Sequence, residues 1–519
     1  MADESISVLP KRELAWVFSA LMLGLLLAAL DNTIVSTALP TIVSSLHGAN
    51  HLSWVVVSYL LASTVTTPLW GKLGDLHGRK IYFQAAIVIF LLGSVLSGLS
   101  QSMIELILFR AVQGLGGGGL MVGAQAIIAD IVAPSDRGRY SGLFGAVFGA
   151  ATVLGPLLGG FIVEYWSWRW IFFVNIPFGA LALGVTAVAL PNAGKRVQHV
   201  IDYAGIVTLT IAASALILFT SLGGTSLAWF SFKSIALLVG GLAFTVVFFM
   251  VERKSAEPIL APRLFANRVF SSASAIGFVV GFAMYGAMTF LPMYFQDVRG
   301  ASPTNSGLRL LPMMAGLFTA SIFAGMMVSK GWKYRKFPIL GTAIMTIGMG
   351  LLATIGVRTS GLSTGLFMLV LGVGIGLVMQ ILTTAVQNAV PHEDVGAGTA
   401  GANFFRSIGG SFGTAIFGAI FANRLPHELK MGLSGHIGAG VKLPSVSYWS
   451  PKLIKSLPTP IRDIILEALS KSIAYIYVWA VPVGLIALAL SLTLPEVKLR
   501  KSLHPVADEI PLSNADPLV

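Results

Sequence analysis

The sequence contains no cysteine, which excludes disulfide frameworks, thiolate metal sites and thiol chemistry. It is also short of charge. Lys, Arg, Asp and Glu make up 11% of its 519 residues, where a soluble domain carries about 25%. No GxxxxGK[ST] phosphate loop occurs, so ATP is not expected to power the protein directly. Two enzyme-like patterns do occur, and both lie in the wrong context. Gly114 to Gly119 satisfies GxGxxG inside an apolar helix with no strand before it, and Gly409 to Gly413 matches GxSxG without a strand-turn-helix setting. With no catalytic constellation and no metal-ligand set, neither an enzyme nor a cofactor is expected.

What is present is apolar: 55% of the residues are hydrophobic and the mean hydropathy is +0.82. Fourteen runs reach the roughly 20 apolar residues that a spanning helix needs. They are 14-39, 52-71, 81-99, 103-130, 140-163, 169-190, 202-222, 230-251, 270-296, 307-329, 337-356, 363-390, 396-422 and 473-494. The first follows Lys11 and Arg12 but is about twice a signal-peptide core, so it reads as a retained helix. The expected fold class is an all-α polytopic membrane protein with 14 transmembrane helices.

An even count places both termini on one side. The short loops of that side carry 20 Lys and Arg, among them Lys72, Arg79, Lys80, Arg253, Arg263 and Arg335, while the opposite short loops carry only Arg299 and Arg358. By the positive-inside rule both termini are cytoplasmic. The net charge of +12 is then mainly an orientation signal, with lipid headgroups as secondary partners and nucleic acid not expected. The long connection 423-473 lies outside. Within it, Ile461 to Leu469 has the spacing of an amphipathic helix, either a lid on the outer membrane surface or, more simply, a connector with a satisfied apolar face.

Four stretches of the first half carry chemistry. Span one contains Asp31 and span four Arg110, at about 12 Å and about 10 Å from their outer ends. A lone ionised side chain there costs about 2.5 to 3.5 kcal/mol, so the two are expected to pair, for function or for folding specificity alone. Gly71, Lys72, Gly74, Asp75, Gly78, Arg79 and Lys80 form a tight basic loop in which Asp75 can satisfy helix N-terminal amides. That loop reads as a cytoplasmic latch or as ordinary positive-inside sequence. Gly155, Pro156, Gly159 and Gly160 in span five allow close helix approach with a bend. Trp166 to Pro177 places aromatics at the outer interface.

Together these stretches resemble the major facilitator superfamily, specifically its 14-spanner drug/proton antiporter branch. Leu30 to Pro40 is similar to the branch's first-helix motif, Gly71 to Lys80 to the 2-3 loop motif, Arg110 to Gly114 to the fourth-helix motif and Gly155 to Gly160 to the antiporter motif. Leu291 to Gln296, Ser302-Pro303 and Arg406 to Gly410 add to the match. Departures are Leu76 where the family often has Arg, Ala151 where it usually has Gly, and Ser329 where the first half has Asp75. Arg406 is a further expected partner for Asp75, or for headgroups.

The resemblance implies two six-helix bundles, 14-190 and 270-494, joined by an inserted pair at 202-251, with cytoplasmic tails 1-13 and 495-519. It implies proton-coupled efflux of lipophilic compounds by alternating access across the plasma (bacterial inner) membrane, with a periplasmic adaptor as an open possibility. Asp31 and Arg110 are the candidate proton-coupling residues. Tyr59, Gln125, Tyr285, Met288, Gln380 and Gln387 are candidates for the cavity wall. No other acid lies deep in a span, so neutral or monocationic lipophiles fit better than dications. A lipid or glycolipid translocase and a non-transporting sensor are the alternative readings.

Overall fold

A computed structural model describes residues 11-46, 52-132, 134-190, 202-224, 227-433 and 457-497. These described residues are built almost wholly from helices. Six long helices come first: α1 Lys11–Leu46, α2 Leu52–His77, α3 Arg79–Leu99, α4 Met103–Ile131, α5 Pro134–Tyr165 and α6 Asn175–Ala189. An intermediate pair follows, α7 Tyr203–Leu222 and α8 Phe232–Glu252. The last six are α9 Arg268–Met293, α10 Leu311–Ser329, α11 Lys336–Leu352, α12 Gly361–Ala389, α13 Val395–Leu433 and α14 Thr459–Leu492. Short polar side chains start several of them. Ser102, Asp202, Ser231, Asn267 and Ser360 each accept a hydrogen bond from a first-turn amide, satisfying donors that a helix leaves orphaned.

In the first half α4 packs against α2 and α3, and α1 against α5; in the second half α12 packs against α10 and α11, and α9 against α13. The pattern repeats with an offset of eight helices, as two equivalent bundles require. Across the seam α2 lies on α13 and α5 on α10, again a symmetric pair of contacts. Helix α7 touches both α2 and α13. An apolar cluster including Val65, Leu209, Phe248, Leu260, Phe404 and Ile408 fills that three-way junction.

Each of the fourteen apolar runs falls on a helix. Among the described residues eleven helices are long and apolar enough to cross a bilayer, with Leu154–Tyr165 and Lys336–Leu352 as shorter apolar segments. Of the two readings of 461-469, the structure agrees with the connector whose apolar face is satisfied: the segment is the start of α14. Ile465, Ala468 and Leu469 are buried there, and Ile464 packs where Gly432 of α13 has no side chain, so the apolar face is covered by α13 and forms no lid. The two helices shorten the long connection, since α13 continues to Leu433 and α14 begins at Thr459. Residues 434-456 lie outside the described residues, as do positions 1-10 and 498-519 of the two tails.

Candidate functional site

Asp31 and Arg110 meet in the interior of the first bundle. The Arg110 Nη1 donates to Asp31 Oδ2 at 2.5 Å and to Gln113 Oε1 at 2.8 Å, and Gln113 Nε2 returns a bond to Asp31 Oδ1 at 2.8 Å. Asn175 Nδ2 reaches the same Oδ1 at 3.4 Å and donates to Ser94 Oγ at 3.0 Å. The guanidinium carbon sits 4.3 Å from the centroid of the Tyr59 ring. Asp31 and Arg110 are 0% and 1% exposed, so their charges are compensated inside the protein and not by solvent. Sequence reading missed Gln113, Ser94 and Asn175. Gln113 had a signal, because it follows Arg110 by three residues and shares its helix face. Asn175 lay hidden in a stretch assigned to interfacial aromatics.

The Gly71 to Lys80 segment joins the two bundles at one end. The Asp75 carboxylate accepts from the Gly396 and Ala397 amides at 3.0 and 2.7 Å, in the first turn of α13. A carboxylate at that place also meets the positive end of the helix dipole. Arg79 pairs with Asp75 and donates to Asp130 Oδ2 at 2.8 Å. Gly71 lets α2 approach α13 closely, since a β-carbon there would lie 2.6 Å from the Gly396 carbonyl oxygen. Gly74 leaves room for the Arg79 guanidinium, and Gly78 turns the chain at φ 100°. Lys80 does not face headgroups alone; its Nζ donates to the Ala187 and Leu190 carbonyls at 2.7 Å, closing the end of α6.

Two further ion pairs tie the α8–α9 connection into this latch. Lys72 bonds Glu257 at 2.9 Å, and Arg263 grips Asp394 with two bonds at 3.0 and 3.1 Å. The Asp394 carboxylate holds Arg263 above its ordinary pKa. Arg406, expected as a partner for Asp75 or for headgroups, is neither. It is buried in α13 and donates to Asn403 Oδ1 at 2.5 Å, because it lies about 10 residues, some 15 Å, along α13 from the turn that Asp75 caps.

That arginine belongs to a polar seam between the bundles. Asn403 Nδ2 donates to Gln125 Oε1 at 2.6 Å, and Gln387 Nε2 donates to Thr399 Oγ1 at 3.1 Å and to the Gln125 carbonyl at 3.4 Å. Gln125 and Gln387 therefore close the seam and do not line the cavity. Gln380 is buried in α12 and Met288 packs against the second-half core, so neither lines it.

The antiporter-type glycines bind α5 to α1. A β-carbon on Gly155 would lie 2.5 Å from Thr33 Cβ, and one on Gly159 would press on Ile34 and Thr37. Thr33 Oγ1 donates to the Ala151 carbonyl at 2.9 Å. Pro156 lies inside the helix half-buried, as does Gly160.

Between the bundles lies a cavity of about 540 Å³. Tyr59, Asn32 and Met121 line its first-bundle side and Tyr285, Ser407 and Ser411 its second-bundle side. It extends away from the latch toward Gly224, Trp229 and Asn423. Among the described residues, none lining it is ionisable as an acid other than the tyrosines, and Asp31 is fully buried.

The family model of the Major Facilitator Superfamily matches residues 21–202 and 196–414. The chain belongs to the major facilitator superfamily. Among its relatives within that superfamily, the MFS-type transporter Rv1877 of Mycobacterium tuberculosis is 44% identical over 494 residues, covering 95% of this chain and 71% of the relative. The multidrug transporter protein MdtP of Bacillus subtilis is 37% identical, covering 88% of each chain, and multidrug resistance protein 3 of the same organism is 36% identical, covering 92% and 94%. Among solved structures the facilitator fold is matched by the proton:xylose symporter XylE, with a TM-score of 0.61 at 17% identity over 94% of this chain and 97% of that one. This major facilitator is thus a multi-pass membrane transporter.

Proposed function

We propose that the protein exports lipophilic compounds, monocations among them, in exchange for protons by alternating access. The carrying observation is that Tyr59 belongs to both working parts: its ring supports Arg110 of the buried charge cluster, and it lines the cavity. Asp31 is the proposed proton site. Protonation would remove the charge that Arg110, Gln113 and Asn175 now compensate, freeing the guanidinium to shift against Tyr59 and change the cavity wall. One proton crossing 100 mV supplies about 2.3 kcal/mol, enough to hold a gradient of about 50-fold for a neutral cargo. A monocation exchanged one for one moves no net charge and is driven by the pH gradient alone.

The latch gives the second half of the cycle. Its ion pairs and helix cap hold one end shut while the cavity reaches the other, and opening requires Asp75 to leave α13. The positive-inside count supports a cytoplasmic latch in the plasma (bacterial inner) membrane, with both termini on that side. The names of the two Bacillus relatives support a broad range of cargo.

The test is ethidium flux in proteoliposomes with an imposed pH gradient, comparing the parent with Asp31→Asn. Flux should follow the gradient in the parent and lose that dependence in the variant. Full gradient-driven flux in Asp31→Asn would remove Asp31 from the mechanism.

A further inference from the structure

The inserted helix pair reaches the cavity. Only 17% of the α8 span is buried, as for a helix surrounded by lipid, whereas α7 lies in the seam between α2 and α13. The end of α7 and the chain after it supply Thr220, Ser221, Gly223, Gly224 and Trp229 to the cavity wall. These residues lie at the end of α7 opposite Asp202, and hence about 30 Å from the latch end.

The connection is built around Trp229. The Leu227 amide donates to the Leu222 carbonyl at 2.9 Å and the Gly224 amide to the Leu227 carbonyl at 2.8 Å, with Gly224 at φ 74°. A β-carbon on Gly223 or Gly224 would also come within 2.6 Å of the indole, so packing calls for glycine at both positions. Phe219 meets the same ring edge-on at 5.4 Å and 74°. Ser234 Oγ fixes the preceding turn by donating to the Ala228 carbonyl at 2.8 Å. The indole is therefore held by backbone and an aromatic neighbour, yet it is only partly buried and lines the cavity. Tyr285 is set in the wall in a similar way, its ring lying where Gly410 has no side chain, and it is 42% exposed.

We propose that Trp229 touches the cargo and selects for planar aromatic lipophiles, so that the inserted pair takes part in substrate recognition. This rests on the cavity being the cargo site, as proposed above. A fixed indole loses little freedom on binding and offers a large polarisable face to a flat ring, for which offset stacking is favoured. A flexible aliphatic ion of equal charge gains no such contact.

The experiment measures binding of ethidium, planar and aromatic, and tetrabutylammonium, which is neither, to the purified full-length protein and to Trp229→Ala, Trp229→Leu, Trp229→Phe and Tyr285→Ala. Trp229→Leu keeps the connection filled should alanine unsettle it. Both non-aromatic variants should weaken ethidium about two- to tenfold more than tetrabutylammonium, and Trp229→Phe should recover most of the difference. Equal effects on the two ions, or a parent that binds ethidium no better than tetrabutylammonium, would overturn the inference. If Tyr285→Ala weakens ethidium and the Trp229 variants do not, the cavity remains the cargo site and Trp229 is not part of its selectivity. If ethidium binds and neither position matters, the cavity assignment falls as well.

Discussion

The Asp75 carboxylate of the first bundle accepts the Ala397 amide of the second at 2.7 Å, so one side chain caps a helix through an amide 322 residues later. This bond, with its neighbour to Gly396, makes closure of the latch depend on an acceptor at position 75. Asp75→Ala strands two amides and removes one partner of Arg79, a loss of about 1–3 kcal/mol. Because the chain has no cysteine, a single Ala126→Cys behind the latch reports on opening without background. N-ethylmaleimide should label it about tenfold faster in Asp75→Ala than with Asp75 intact.

Asp31 and Arg110 are predicted to behave as one unit. Removing either partner leaves a buried polar group uncompensated, which costs about 3–5 kcal/mol for a buried pair. Asp31→Asn and Arg110→Gln should each lower the melting temperature. The double variant should be more stable than the sum of the two losses by about 1–3 kcal/mol. Strict additivity would show that the pair is not energetically coupled.

Arg110→Lys should not restore function. Lysine lacks the fork with which Arg110 reaches Asp31 and Gln113 through Nη1 and the Val55 carbonyl through Nε at 3.4 Å. Gradient-driven ethidium flux should remain impaired although the charge is retained. Flux at the parent level would mean that charge alone suffices.

Gly155→Ala should strain the α1–α5 contact, because the new methyl group meets Thr33 on a facing helix. Overpacking of this kind costs about 1–3 kcal/mol. Gly184→Ala is the control, since nothing lies within 4 Å of its β-carbon position. It should leave stability unchanged or raise it by up to about 1 kcal/mol, since alanine replaces a mid-helix glycine without a clash. Thermal melts of both variants in the same lipid or detergent decide the matter.

Asn403→Ala should destabilise the closed seam by about 1–3 kcal/mol, because it leaves both Arg406 and Gln125 without their shared partner. Labelling of the Ala126→Cys reporter should rise here too. A change confined to one of the two readouts, melting or labelling, would separate folding from gating.

That the chain spans a membrane, how its helices are spaced, and which charges are too costly to stand alone all follow from the order of its amino acids. Apolar runs of spanning length and a shortage of charge are properties of single segments, and a buried acid and base at matching depth demand partners whatever the details. The four motif stretches were legible for the same reason. Their glycines, proline and charges keep local meaning. Tertiary structure alone decided which groups meet. Nothing in the spacing of Asp75 and Ala397, or of Gln125 and Asn403, brings them together, because side chains on separate helices become neighbours only when the bundles pack. That is why Arg406 moved from the expected latch to the seam, why Gln125 and Gln387 left the cavity wall, and why Trp229 entered it. Residue type and depth are fixed along one helix, whereas the partner of a polar side chain is fixed by the facing helix.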